Sequence, residues 1–308
     1  MLVSRVQSVP ALAPARPDTA ALAAGLFTVT LWGSAFVGIR AAGTAFSPGS
    51  LALFRLLVSC LVLGAAATIR RDRMPARKDI VQIAIYGVLW LAVYSVALNA
   101  AERLVDAGTA ALLVNVGPVV VAILAGVFLH EGFPRRLFAG CTIAFAGCAL
   151  IGFATTQSRS GAWVGILLLA VAVLAYSTAI IVQKGVLARV PSFQVTFIGV
   201  LAATIVCLPF GPTLASELSR ASAGAVAWSM YLGAFPTAIG FVTWSFALGR
   251  TKAGQLGTLT YLAPVVAVLL GWLLLGETPA WLALAGGALA LGGVWWARRA
   301  PAKPKLAG

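Results

Sequence analysis

Charged and polar side chains that could bind a small molecule occur inside segments that are otherwise apolar. Arg55 stands within a run of Leu, Val and Ala residues, where its guanidinium would need a carboxylate, a carbonyl or an anionic ligand as a partner. Asn99 and Glu102 lie at the end of a later apolar segment, and Asn115 lies inside the next one. We predict that these residues form polar contacts around a ligand, with Glu102 as the candidate partner of Arg55. A long Arg55 side chain that reaches the membrane surface is the alternative interpretation.

Three aromatic residues recur at i+4 spacing: Tyr86, Trp90 and Tyr94. Residues at this spacing share one face of a helix. A matching segment in the second half of the chain has Pro236 and Gly240 at the corresponding places, with Trp244 one turn later. The pattern predicts a cavity in which Trp90, Tyr94 and Trp244 form a wall, and Tyr176 adds a hydroxyl. Packing in the core is the competing interpretation.

Pro118 and Pro264 each lie twelve residues into an apolar segment. Proline lacks the N–H that bonds the carbonyl four residues earlier, so these helices, and the one containing Pro236, are predicted to kink. Asn115 and Tyr261 precede the first two prolines by three residues. A polar side chain beside a kink could contact a ligand, although Asn115 could equally bond a neighbouring helix.

The elements that would position these residues are long apolar segments. Hydrophobic residues make up 61% of the chain and charged residues 10%, whereas soluble domains contain about 25% charged residues. About 20 apolar residues suffice to cross a bilayer. Ten segments qualify: 20–39, 48–69, 80–101, 107–129, 136–155, 162–183, 193–210, 224–247, 253–275 and 280–297. The sequence predicts an all-α integral membrane protein in contact with the lipid bilayer.

The ten segments form two related halves, residues 20–155 and 162–297. An offset of 146 residues aligns Gly87 with Gly233, Pro118 with Pro264, and Glu131 with Glu277. Glycine, proline and glutamate do not replace one another in apolar segments, so these matches indicate an internal repeat. Each half contains five segments, and an odd number places the two copies upside down in the membrane. We therefore predict two inverted five-helix repeats, a construction typical of secondary transporters. Residues 1–19 and 298–308 are predicted to be disordered cytoplasmic tails.

The distribution of basic residues indicates a membrane orientation. With the N-terminus inside, inner loops and tails hold seventeen of the 22 Lys and Arg residues, whereas outer loops hold only Arg40, Arg103, Arg159 and Arg220. This positive-inside bias predicts a multi-pass protein of the inner (plasma) membrane with both termini in the cytoplasm. It also accounts for the net charge of +14 without a nucleic-acid partner.

The sequence predicts no metal and no cofactor. The four Cys residues lie in apolar segments without metal-site spacing, and His130 is the single histidine. The phosphate-binding loop of an ATPase and the nucleophile motif of a hydrolase are both lacking. Glu131 and Glu277 each end a segment just before another helix, where we expect them to act as caps.

Several motifs together resemble the drug/metabolite transporter superfamily, in its ten-helix EamA-like branch. Residues 31–36, Leu-Trp-Gly-Ser-Ala-Phe, resemble the start of that family's repeat. The stretch from Ala107 through Pro118 to Glu131 resembles its fourth helix, with His130 in place of the expected Gly, and the ninth segment ending at Glu277 resembles it more closely. The resemblance implies export of small metabolites, amino acids or drugs through a cavity between the repeats.

Three functional classes remain from the sequence. The leading one is a secondary transporter that exports small amphipathic, amino-acid-like metabolites or drugs by alternating access. A flippase for a lipid-linked sugar is the alternative, and an integral-membrane enzyme is disfavoured because the eight acidic residues are scattered. Glu102 is the best-placed proton carrier if transport is proton-coupled, and a passive facilitator would need none. Substrate identity, transport direction and oligomeric state are left open by the sequence.

Overall fold

The described part of the protein consists of helices, without strands. The computed structural model describes residues 18–70, 72, 74–101, 103–104, 113–155, 162–275 and 281–298. We number the helices in chain order: α1 Thr19–Ala42, α2 Pro48–Arg70, α3 Arg77–Ala101, α4 Gly117–Phe128, α5 Arg135–Thr155, α6 Ala162–Leu187, α7 Ser192–Leu218, α8 Ala223–Arg250, α9 253–275 and α10 Trp281–Arg298.

Seven of the described helical stretches are long and apolar enough to cross a membrane, and α4 is a shorter apolar helix. Large apolar side chains also cover their outer surface: Leu61 is 74% exposed, Leu273 72% and Ile205 66%. Such a surface is costly in water and is stable against hydrocarbon. The prediction of an all-helical membrane protein is confirmed.

Helices α3 and α8 each contain a π-helical segment, Val88–Tyr94 in α3 and Gly233–Ile239 in α8. The two segments are 145 residues apart, close to the offset that aligns the halves. Pro236 causes part of the distortion, because it has no N–H for the carbonyl of Leu232; the Thr237 hydroxyl donates to that carbonyl at 2.8 Å. Trp32 Nε1 on α1 donates to the Pro236 carbonyl at 3.2 Å.

Helical winding is interrupted just before the other two prolines. Asn115 and Val116 form a turn, and α4 begins at Gly117 with Pro118 as its second residue. In α9 a 3₁₀ segment, Thr258–Tyr261, precedes the α-helix that contains Pro264. Proline is well tolerated in the first turn of a helix, where its missing N–H would have no partner. The irregular backbone lies within the residues just before each proline, where the missing N–H interrupts the helical hydrogen bonds.

Helices α5 and α10 form the most extensive helix pair of the described structure, through small residues. Gly147 lies directly against Ala290, and Gly293 lies directly against Ala144. The two contacts are equivalent, because Gly147 aligns with Gly293 and Ala144 aligns with Ala290 in the two halves. The paired positions also show that α5 and α10 run antiparallel. A side chain larger than hydrogen at either glycine would meet the backbone of the opposite helix.

The remaining contacts cross between the halves in matching pairs. Helix α1 packs on α8 and α9, and its counterpart α6 packs on α3 and α4. Likewise α2 packs on α8, while α7 packs on α3. The core therefore consists of helices from both halves, and a cavity between the halves is bounded by both.

Polar contacts collect at the two ends of the helix bundle. One end, which we call the basic end, contains Lys184, Arg189, Lys252 and Arg298. There Arg189 forms an ion pair with Asp79 at 2.7 Å. At the opposite end, Glu217 on α7 accepts a hydrogen bond of 3.0 Å from the backbone N–H of Ser47, at the start of α2.

Candidate functional site

A cavity of about 150 Å³ lies between the halves, from the middle of the bundle toward the end opposite the basic end. Helices α1, α2, α3, α6, α8 and α9 contribute to its lining, together with the turn before α4. The described lining residues are Trp32, Ala35, Ile39, Arg55, Trp90, Tyr94, Ser95, Leu98, Asn99, Val114, Asn115, Tyr176, Phe241, Thr260, Ala263 and Pro264.

The structure brings together most of the residues that the sequence singled out. Those in the cavity lining are Arg55, Trp90, Tyr94, Asn99, Asn115, Tyr176 and Pro264. Trp244 and Tyr261 are fully buried and lie behind the lining rather than in it, and Pro118 and Pro236 also lie outside it. Glu102 lies outside the described residues.

Arg55 places its guanidinium at the cavity wall, half-buried. Its Nε and one terminal nitrogen donate to the Thr237 hydroxyl oxygen at 3.3 and 3.2 Å. Thr237 lies in the π-helical segment of α8, so the distorted backbone around Pro236 and the charge on α2 are connected through one hydroxyl.

Aromatic rings lie on the side of the cavity that faces the basic end, with Trp32, Trp90 and Phe241 in the lining and Trp244 behind them. Trp32 lies 5.3 Å from Phe241 and 4.9 Å from Trp244, and Trp90 lies 5.0 Å from Phe241, between ring centroids. We call these four rings the aromatic layer. They separate the cavity from the basic end, and their apolar faces can contact the apolar part of a solute.

Two tyrosines extend the aromatic surface along the side of the cavity. Tyr94 and Tyr176 pack edge to face with ring centroids 5.5 Å apart. The hydroxyl of Tyr176 lies against Gly117, and only a residue without a side chain leaves room for it there. The break in winding before α4 thus admits a ring from α6.

Polar groups line the cavity at its other end. The Asn99 side chain donates to the carbonyl of Pro48 at 3.1 Å and so joins α3 to the start of α2. Asn115 is buried in the turn before α4. Thr260 in the 3₁₀ segment of α9 donates to the Gly257 carbonyl at 2.8 Å. The cavity therefore combines one guanidinium and several neutral polar groups with an aromatic wall.

Trp32, Phe241 and Thr260 are lining residues that were not predicted. Trp32 belongs to residues 31–36, which stood out only as a family motif. Its spacing from other residues in the sequence did not predict that it faces a cavity. Phe241 follows the π-helical segment, which rotates it relative to an ideal helix. Thr260 directly precedes Tyr261. Because the backbone is 3₁₀-helical here, Thr260 faces the cavity in place of Tyr261, for which that position was predicted.

Comparison with known proteins identifies the family. The sequence matches the EamA-like transporter family over residues 19–153 and again over residues 163–299. The chain belongs to this family.

Similar proteins include named transporters. A "Probable terminal-alkyne amino-acid exporter" of Streptantibioticus cattleyicolor is 37% identical over 87% of this chain and 90% of its own length. The "Uncharacterized transporter YdfC" of Bacillus subtilis is 34% identical over 86% and 87%. A "Probable amino-acid metabolite efflux pump" of Salmonella typhimurium is 25% identical over 88% and 92%. These names describe transporters and exporters rather than enzymes.

The fold is also found among solved structures. One crystal structure shares it with a TM-score of 0.77 at 21% sequence identity, over 92% of this chain and 99% of the other. At this identity the comparison bears on the fold alone.

In this EamA-like chain, Glu131 caps a different helix from the one expected. Its carboxylate accepts hydrogen bonds from the backbone N–H groups of Ala253 at 2.7 Å and Gly254 at 3.2 Å, at the start of α9, rather than from the start of α5. The contact joins the two halves at the basic end. Beside it, Lys184 donates to the carbonyls of Leu248 and Thr251 at 2.7 and 2.8 Å, where α8 ends. Glu277 lies outside the described residues.

The departure from the family motif at His130 has a backbone explanation. His130 has φ 54°, in the left-handed region that favours glycine, which is the residue that the family motif has there. Gly132 follows with φ 78°. The two residues form the tight loop that directs Glu131 toward α9.

Proposed function

We propose that this protein exports small amphipathic, amino-acid-like solutes across the inner membrane. The observation that supports it most directly is the cavity between the halves, whose lining contains the Arg55 guanidinium together with the rings of Trp90 and Tyr94. A guanidinium binds a carboxylate through paired hydrogen bonds, and aromatic faces bind an apolar side chain or an ammonium group. The relatives named as amino-acid exporter and metabolite efflux pump support the same class.

The proposed architecture is ten spans in two inverted repeats. Support comes from the repeated family match, from the reciprocal contacts of Gly147 and Gly293, and from the antiparallel pair α5 and α10. The excess of Lys and Arg supports a cytoplasmic location of the basic end and of both termini. Cysteines introduced at exposed Ser219 and exposed Ala76 test this orientation. An impermeant maleimide applied to intact cells should label the first and leave the second unlabelled, and labelling of the second would refute the topology.

The proposed mechanism is alternating access. Polar contacts of Glu131 and Arg189 join the two halves and hold the basic end closed, while the cavity extends toward the opposite end. In this orientation the structure corresponds to an outward-facing state. Transport then requires a second state in which the halves rock around the cavity and the basic end opens.

Transport in proteoliposomes tests the proposal directly. The purified protein is reconstituted and assayed with radiolabelled L-phenylalanine, L-leucine, propargylglycine and L-glutamate, with and without a proton gradient. We expect uptake or exchange of at least one apolar amino acid above that of empty liposomes. Absence of transport for the whole panel by monodisperse, correctly inserted protein would refute an amino-acid-like substrate.

Arg55 should discriminate solutes by their carboxylate. Arg55→Gln is expected to weaken binding about tenfold for L-phenylalanine and little for phenethylamine, which lacks the carboxylate, because a good charge-assisted pair contributes about 1.5–3 kcal/mol. Arg220→Gln, in an exposed loop, serves as the matched control and should bind both solutes normally. Equal loss for the two solutes would assign Arg55 a structural role.

We further propose that transport is coupled to protons and that Glu102 carries the proton. Passive transport is the alternative. Glu102→Gln should abolish accumulation driven by a proton gradient while leaving downhill exchange intact, since exchange needs no proton carrier. Full gradient-driven accumulation in Glu102→Gln would exclude this residue as the carrier.

A second groove favours the flippase alternative. It has a volume of about 440 Å³ and lies at the surface between α1, α8 and α9, where Gly224 and Ala227 are exposed. Within it the hydroxyls of Ser34 and Tyr231 lie 2.6 Å apart. A lipid-linked solute could place its chain along such a groove. Translocation of a fluorescent lipid-linked sugar by the reconstituted protein, without amino-acid transport, would favour this function over the first.

A further inference from the structure

A group of polar side chains lies buried beyond the aromatic layer, outside the cavity lining. It comprises Tyr86 on α3, Gln183 on α6, Thr196 on α7 and Ser245 on α8, and each of the four is fully buried. Gln183 Nε2 donates to Ser245 Oγ at 2.8 Å, and Thr196 Oγ1 lies 2.8 Å from the same atom. We call these residues the inner polar cluster.

The inner polar cluster has hydrogen-bonding capacity that the described structure does not use. Gln183 Oε1 has no hydrogen-bond partner among the described residues, and the Tyr86 hydroxyl faces Ser245 without a bond of normal geometry. Trp244 Nε1, next along the chain to Ser245, is equally without a described partner. Each buried unpaired group costs about 1–3 kcal/mol. Three such groups on neighbouring residues and helices call for a polar partner.

The position of the cluster lies on the way from the cavity to the basic end. Gln183 is four residues from the end of α6 and Thr196 four residues from the start of α7, which is about 6 Å at 1.5 Å per residue. On the other side, Trp244 belongs to the aromatic layer. On the side of the basic end, Lys184 joins α6 to the end of α8. The inner polar cluster therefore lies between the aromatic layer and the basic end.

We propose that the inner polar cluster is a second solute site, contacted by the polar head of the solute when the basic end is open. The proposal rests on the proposed transport function. An amide oxygen and a phenol accept hydrogen bonds from an ammonium or hydroxyl group, and the Trp244 indole N–H donates to a carboxylate oxygen. The site has no net charge, so it binds a zwitterionic or neutral head weakly enough for the solute to pass. Arg55, by contrast, provides charge at the central cavity.

Cysteine accessibility tests the placement of this site without any need for transport. Ser245→Cys is made in a protein whose four native cysteines are replaced, and 2-aminoethyl methanethiosulfonate is applied from the basic end in inside-out vesicles. Ser229→Cys, equally buried on α8 but nearer its start, is the matched control. We expect Ser245→Cys to react at least about tenfold faster than the control, and faster still when Glu131→Ala releases the basic end. Equal rates in both backgrounds would overturn the proposal.

Side-specific transport tests contact with the solute. Gln183→Leu removes the unpartnered amide oxygen, and the half-saturation concentration for L-phenylalanine should rise about tenfold at the basic end and stay unchanged at the opposite end. An equal change at both ends, or none at either, would overturn the assignment of a solute contact. If the parent protein transports no amino acid of the panel, that result contradicts the proposed substrate class, whereas the labelling rates still decide whether the cluster lies on the pathway; if it transports another amino acid of the panel, that one replaces L-phenylalanine in this test.

Discussion

The contact of Glu131 with the start of α9 should determine how often the basic end is closed. Glu131→Ala removes an acceptor of two backbone hydrogen bonds, of 2.7 and 3.2 Å, that join the first half of the chain to the second. Hydrogen bonds to a charged group contribute about 1.5–3 kcal/mol, and we take the lower value for the pair because Glu131 is partly exposed. Since about 1.4 kcal/mol is a factor of ten, the ratio of open to closed basic ends should rise roughly tenfold.

Distances between two spin labels measure this ratio. Labels on Arg135→Cys and Lys252→Cys, both exposed at the basic end on opposite halves, report the separation in a background without native cysteines. Double electron–electron resonance should show a longer distance that is populated roughly tenfold more, relative to the short one, in Glu131→Ala. Glu131→Gln retains a neutral acceptor and should give an intermediate shift.

A matched substitution at the other end provides the control. Glu217→Ala removes the carboxylate that accepts from Ser47 at the opposite end, and it should not increase the open population at the basic end. An unchanged distance distribution in Glu131→Ala would refute the reasoning, and so would an equal increase in both variants.

Three further outcomes are expected. Tyr94→Ala should raise the half-saturation concentration of the transported amino acid about three- to tenfold with normal thermal stability, since an aromatic contact contributes about 0.5–1.5 kcal/mol; unchanged kinetics would exclude a wall contact. Gly117→Ala should destabilise the protein by about 1–3 kcal/mol, because its methyl group overlaps the hydroxyl and ring carbons of Tyr176; in a Tyr176→Ala background the same change should have little effect on thermal unfolding, and an equal loss in both backgrounds would contradict this contact. His130→Gly should raise stability by about 1 kcal/mol by relieving the left-handed backbone, and His130→Ala, measured in parallel, should not.

Much of the architecture is readable from the sequence because it depends on composition and spacing. Apolar length predicts membrane helices, and Arg55, Asn99 and Asn115 stand out because polar side chains are costly in hydrocarbon. The aromatic stripe at i+4 spacing likewise correctly indicated that Trp90 and Tyr94 face the same way, since both line the cavity.

The rest depends on contacts between residues far apart in the chain. Thr237 meets Arg55 across 182 positions, and Glu131 meets Ala253 across 122, so neither partner can be found from local spacing. Apart from Pro236, the sequence gives no indication of the π-helical segments. These segments rotate the side chains that follow them around the helix axis. For this reason Trp244 lies behind the lining while Phe241 reaches it.

The reciprocal contact of α5 with α10 has a consequence for the origin of the chain. Gly147 against Ala290 and Gly293 against Ala144 obey the rule of an interface between identical subunits, in which each partner offers the same surface to the other. A polypeptide that contained only α1–α5 would therefore present to a second, oppositely oriented copy the surface that α10 now covers. Gene fusion of such a homodimer would produce the present protein, and expression of the two halves as separate polypeptides is expected to reassemble it.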